Sequence, residues 1–208
     1  MPTLRFEFPY PVKPWLQTQA WGVLNPAYQQ FGFSRHNGND VALGADKLIR
    51  APFPGTINYV ATKDNGLWQP NGGGVFVSLL SKDEYHFDDG VIAYVMADFL
   101  HLEQPLVALG DEALLGTVLA IADNTGFSTG PHTHIQLRRV QKGTSDSPRF
   151  TRPGEDDGYV LVDHNDANNS FNPTPYFTNT YAVDITRKGA TIRILDALKS
   201  FWPAKKVA

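Results

Sequence analysis

The chain has 208 residues, 42% of them hydrophobic and 19% charged, a size and balance that suit one globular domain with or without extensions. Its net charge of -3 lacks the basic excess that nucleic-acid binding needs, and with no cysteine it has no disulfide, thiolate nucleophile or thiolate metal ligand. Any zinc site must come from His and carboxylate, and any covalent catalysis from Ser, Thr or Lys.

Residues 1–27 hold Pro2, Pro9, Pro11 and Pro14 among aromatics, which argues for an extended strap rather than a helix, with Trp15 and Trp21 filling core gaps. The start lacks the charged-then-apolar pattern of a secretory leader, and no apolar run is long enough to span a bilayer. The expectation is no signal peptide and no transmembrane segment. In the next stretch His36 and Asp40 have helical spacing, but Asn37, Gly38 and Asn39 between them argue against a helix. A tight turn would deliver Asp40 as the first residue of a strand, with Val41 and Leu43 facing inward. Standing alone, the segment reads as a solvated polar turn.

From Leu48 onward short strands follow one another. Ile49 to Ile57 is a strand, a Pro-Gly turn and the start of a second strand that continues to Ala61. Lys63 to Gly74 is a polar loop whose closing glycines, Gly72 to Gly74, are not followed by Lys-Ser/Thr or a helical pattern and so make no phosphate cradle. Val75 to Leu80 is a buried strand, and Ser81 to Gly90 an acidic turn with His86 exposed. Val91 to Leu102 is a longer apolar strand with His101 at its end. Gly110 and Gly116 punctuate the run to Asp123 before another strand. Many short strands with little helical periodicity predict a mostly β fold, an antiparallel β-sandwich or β-roll.

The stretch Asn124-Thr-Gly-Phe-Ser-Thr-Gly-Pro-His-Thr-His134-Ile-Gln-Leu-Arg138 is a turn that opens into an alternating strand. His132, His134 and Gln136 would share one face, and Thr133, Ile135 and Leu137 the other, which suits a core. Residues 140–172 read as a solvated polar insertion; Asp163 to Asp166 within it lacks the spacing of a calcium loop. Thr191 to Leu195 suggests a strand and Asp196 to Trp202 a helical turn or two. The organisation is a strap at 1–27, a domain at 28–177 and an extension at 178–208.

Taken in order, these segments resemble the LytM/lysostaphin-type zinc metallopeptidases, the M23 family, over roughly Phe31 to Leu137. His36-Asn-Gly-Asn-Asp40 is similar to the family's His-x-Gly-x-Asp motif, and Arg50-Ala-Pro-Phe-Pro-Gly-Thr-Ile57 to its Ala-Pro-x-x-Gly turn. Phe99-Leu-His-Leu102 is similar to Tyr-x-His-Leu, and Asn124 to His134 matches the most diagnostic segment. Asn172-Pro-Thr-Pro-Tyr176 is similar to the closing Asp-Pro segment.

The resemblance implies a LytM-type β fold in which His36, Asp40 and His134 hold one Zn²⁺ per chain while His101 and His132 act as catalysts. Two imidazoles and a carboxylate leave tetrahedral zinc one open position, as catalytic zinc requires. The implied activity is hydrolysis of peptide bonds in bacterial peptidoglycan, with His132 mainly as base and His101 mainly stabilising the oxyanion. Its place would be extracytoplasmic, at the cell wall, or in a phage lysis or virion protein. Two positions depart from the family: Phe99 stands for Tyr, and Gln30 occupies the counted place of a loop Tyr, with Tyr28 and Phe33 nearby. The second departure puts assistance by Tyr in doubt. A non-catalytic wall-binding or regulatory domain on the same fold is the alternative, though such domains generally lose ligands and this set is whole.

Overall fold

The computed structural model describes residues 17–43, 47–143, 159–162 and 170–176. Trp15, the Asp163–Asp166 loop and the elements expected beyond residue 178 lie outside them. Within them run β1 (Gln17–Gln19), a 3₁₀ segment (Pro26–Phe31), β2 (Asn39–Ala42), β3 (Leu48–Arg50), β4 (Gly55–Ala61), β5 (Val75–Ser81), β6 (Tyr85–His86), β7 (Ile92–Pro105), β8 (Glu112–Ala113), β9 (Val118–Ala122), β10 (His132–Lys142), β11 (Tyr159–Leu161) and a 3₁₀ turn (Thr174–Tyr176). The mostly antiparallel β fold expected from the sequence is present.

The main sheet runs β1-β2-β10-β7-β5-β4-β8. Strand β10 sits inside it because both its edges are taken: His134 faces Asp40 of β2 on one side and Leu100 of β7 on the other. Its odd-numbered residues follow the expected alternation, and Ile135 and Leu137 are fully buried in a core shared with Val41, Phe99, Val77, Leu79 and Ile57. Strand β7 changes partner along its length. Residues Tyr94 to Leu100 pair with β10, and Leu102 to Pro105 pair with β9, which in turn pairs with β3. This ribbon brings Ile49 and Leu119 into the same core, so the sheet is rolled over it.

The point of change is His101. It is not at a strand end, as its position in the apolar run suggested, but inside β7. Opposite it, Val75 and Val77 of β5 face Leu102 and Phe99, so β7 carries one residue more than its partner there. His101 takes a left-handed backbone, φ 63°, unusual for a residue with a side chain.

The other face of the sheet is polar along β10. Arg138, fully buried, donates to Asp98 on β7, which also accepts from Ser78 Oγ of β5 at 2.6 Å. Trp21 is half-buried rather than a core residue, and its Nε1 donates to Ser170 Oγ at 2.8 Å. Within the stretch expected as a solvated insertion, the described residues pack on the body: β11 pairs with the end of β10, and Phe171 bridges to Leu137 and packs on the core.

Candidate metal centre

His36 reaches the site on the loop before β2. Backbone bonds from Gly22 N to His36 O (2.7 Å) and from His36 N to Val23 O (2.8 Å) pin that loop as a short ladder, not a helix, as the intervening Asn and Gly residues suggested. The strand that follows starts one residue earlier than expected, at Asn39, and puts Asp40 opposite His134. Register alone thus brings together a carboxylate and an imidazole 94 residues apart.

The His36 Nδ1–H donates to Ala20 O at 3.0 Å, which leaves Nε2 as a lone pair. That atom lies 3.0 Å from His134 Nδ1 and 3.1 Å from Asp40 Oδ1, and the last two are 2.9 Å apart. One proton between them cannot satisfy three acceptors. If Nδ1 of His134 carries it, Nε2 is a buried lone pair; if Nε2 carries it, three lone pairs converge. Among the described residues His134 Nε2 has no hydrogen-bond partner either way. A cation at the centre resolves the conflict. The separations are a few tenths of an ångström under the ~3.3 Å edge of a tetrahedron with ligands at about 2.05 Å. The donor set fits zinc: nitrogen, nitrogen and oxygen, with a side left open.

Electrostatics keep the donors in the right form. Burial works against the Asp40 carboxylate, but the imidazoles of His132, His134 and His36 around it outweigh burial and hold its pKa well below the usual range. Burial pushes His134 down, toward the neutral imidazole that ligation requires. Packing demands Gly38 in the loop, since a Cβ there would lie 2.5 Å from both His134 Nε2 and the Ile135 carbonyl oxygen.

His132 and His101 stand beside this trio, with ring centroids 4.8 Å apart. The His132 Nδ1–H donates to Gly130 O at 2.8 Å, and its Nε2 faces Asp40 Oδ1 at 3.5 Å. Burial draws the His132 pKa down, yet the Asp40 carboxylate and Gly130 O together raise it above its ordinary value. The His101 Nδ1–H donates to Thr125 O at 2.7 Å. Burial, followed by the neighbouring His134 and His132, pushes His101 down to about 3, so it is neutral. All five histidine and aspartate positions named from the sequence converge here, and His86 is exposed away from them.

The cavity that holds them measures about 520 Å³. Tyr28 lines it, stacked on His36 at 5.6 Å, while Gln30 is exposed and bonded to Ala27 O. A tyrosine therefore stands at the cavity beside His36, two residues before the counted place. Burial, then the charge of Asp40, pushes its phenol up, so it remains an O–H donor. The other departure is inert: Phe99 is fully buried in the core, facing away from the cavity.

Several wall residues carried no usable sequence signal. Phe31 and Phe127 meet edge-on at 5.2 Å, and Gly72 and Gly73 line the cavity from the loop expected only to be polar. Asn37 donates to Gln136 at 3.1 Å, tying the His36 loop to β10. The alternation did place Gln136 on the histidine face, but nothing foretold its partner.

No family model matches the chain. It is 32% identical over 102 residues to an uncharacterized metalloprotease of Haemophilus influenzae, covering 49% of this chain and 18% of that protein. It is 38% identical over 39 residues to an uncharacterized metalloprotease of Buchnera aphidicola, covering 19% and 10%. The chain thus spans less than a fifth of the length of these curated relatives. In structure it is similar to the catalytic domain of the prophage-encoded M23 protein EnpA of Enterococcus faecalis, with TM-score 0.51 and 20% identity over 81% of this chain and 96% of that one. A chain of the SpoIIIAH and SpoIIQ complex matches with TM-score 0.50 and 16% identity over 83% and 99%.

Proposed function

We propose that this chain, which has the M23 peptidase fold and that family's motifs in order, is a zinc-dependent endopeptidase that hydrolyses peptide bonds of bacterial peptidoglycan. The observation that carries the reading is the convergence of His36 Nε2, Asp40 Oδ1 and His134 Nδ1, each within 3.1 Å of the other two. These residues hold one zinc per chain. When bound there, the ion supplies Lewis-acid chemistry, lowering the pKa of a water from about 15.7 to about 7.

The chain's own residues do the rest. His132, with Nδ1–H committed to Gly130 O, presents an Nε2 lone pair that takes the proton of the attacking water and returns it to the leaving amine. The tautomer of His101 supports a different role from the expected one. Its Nδ1–H is committed to Thr125 O and it is neutral, so Nε2 is an acceptor that orients the attacking water. Stabilisation of the oxyanion falls instead to the Tyr28 hydroxyl. Amide side chains on the cavity wall, Gln19, Asn25 and Gln69, suit the backbone of an extended peptide. The cell wall as substrate rests on the resemblance of the motifs.

The test combines metal analysis with digestion of purified sacculi. His36→Ala, Asp40→Ala and His134→Ala should lose zinc and activity together. His101→Ala and His132→Ala should keep zinc and lose about 10²–10⁴-fold in kcat. A protein that takes up zinc and binds sacculi without releasing peptides or new amino groups would be the wall-binding alternative. A protein that takes up no zinc would end the metallopeptidase reading.

A further inference from the structure

His101 is the one site residue in a backbone conformation that its side chain disfavours, and the groups around it account for how it is held. Its N–H donates to Gly73 O at 2.9 Å, its carbonyl accepts from Asp123 N at 3.1 Å, and its ring Nδ1–H donates to Thr125 O. Everything therefore depends on where residue 125 sits. Thr125 lies in the loop between β9 and β10, with no strand to fix it. Its hydroxyl does so instead. Oγ1 donates to Leu102 O at 2.6 Å and accepts from Val75 N at 3.0 Å, bridging β7 and β5 where the extra residue of β7 interrupts their pairing.

Glycines close the clamp from the other side. Gly74, at φ 69°, packs so tightly that a Cβ would lie 2.5 Å from the carbonyl carbon and oxygen of Thr125. Gly126, at φ 79°, meets Gly72 O and Gly74 N in the same way, and Phe127 N donates to Gly72 O at 2.7 Å. The polar loop and the diagnostic segment thus interlock around one peptide group, and its carbonyl points at His101.

We infer that the Thr125 hydroxyl is a positioning group that fixes the tautomer of His101, keeping the proton on Nδ1 and Nε2 free as an acceptor facing the site. The residue touches no substrate atom; it acts through His101. Its kinetic consequence rests on the peptidase reading, but its structural consequence does not. Without the hydroxyl, residue 125 loses its bonds to Leu102 O and Val75 N and keeps only the long bond from its N–H to His101 O (3.5 Å) and the packing of Gly74; its carbonyl shifts, and the two tautomers of His101 approach the mixture of a free imidazole.

The test compares Thr125→Val and Thr125→Ser with the wild type. Tautomers are read from long-range ¹H–¹⁵N correlations of the imidazole in the metal-free protein at neutral pH. Zinc content, kcat and KM on purified sacculi are measured alongside. Wild type and Thr125→Ser should show His101 protonated at Nδ1 alone, with matching kcat. Thr125→Val should populate the Nε2–H form and lose about tenfold or more in kcat, part of the 10²–10⁴-fold that a positioned His supplies. Its zinc content and KM should stay as in the wild type. Should Thr125→Val not fold, Thr125→Ala makes the same comparison. A hydroxyl-free variant that keeps the Nδ1–H tautomer, or a Thr125→Ser that loses it, overturns the inference. If no variant, wild type included, cleaves sacculi, the peptidase reading falls and the tautomer comparison still decides this one.

Discussion

At the scale of single residues, protonation in the site is set by burial and by which carbonyl each ring nitrogen has claimed. His101 illustrates the sign. In the metal-free protein its pKa is about 3, against 6.5 for a free imidazole. Between those values the unfolded chain binds the proton and the folded chain does not. Its contribution to stability is therefore complete above pH 6.5 and is lost as pH falls toward about 3. His132 moves the opposite way: raised by Asp40 despite burial, it stabilises at low pH and loses that contribution as pH rises through its folded value. The thermal midpoint of the metal-free wild type should fall more steeply in acid than that of metal-free His101→Ala. Equal slopes would mean that burial of His101 is not what makes the fold acid-sensitive.

At the scale of elements, the loop from His36 to Asp40 is built around the absence of a side chain at Gly38. Gly38→Ala should push either His134 or the Ile135 carbonyl aside, costing about 1–3 kcal/mol and weakening zinc uptake. Calorimetry with and without added zinc separates the two effects. A variant as stable and as metal-loaded as the wild type would show that the loop has slack. This loop was half legible in the sequence, because Asn and Gly within a helical spacing announce a turn, but nothing local announces its partner. The alternation of β10 was fully legible, since Ile135 and Leu137 mark the core face whatever pairs with it. The bulge at His101 was not, because no Gly or Pro interrupts Val91 to Leu102 while the strand changes neighbours beneath it. Gly72 to Gly74 matched no motif in the sequence, and their use as a packing surface for Thr125 depends on a segment about 50 residues away. Counting pointed to Gln30 with Tyr28 only nearby, and the 3₁₀ segment that carries both turns Tyr28 to the cavity and leaves Gln30 exposed.

At the scale of the whole molecule, the sheet's polar face is held by a buried ion pair as well as by the site. Arg138 and Asp98 are each about 1% exposed, and Asp98→Asn would strand a guanidinium in the interior. Removing one partner of such a pair costs about 3–5 kcal/mol, which urea unfolding of the metal-free protein would register. A loss under about 1 kcal/mol would assign the work to the remaining contacts of Arg138. The order of strands has another consequence. Strand β2 carries Asp40 and follows His36 closely, but its neighbours in the sheet are only β1 and β10, so it has no central strand to join until residues 132–135 exist. A chain emerging from the ribosome can pair β4, β5 and β7 in turn while His36 and Asp40 wait without His134. Synthesis that stalls, or cleavage that removes the chain from β10 onward, leaves no fragment in which His36, Asp40 and His134 can meet. Convergence of the three donors is therefore withheld until the last of their strands has been made.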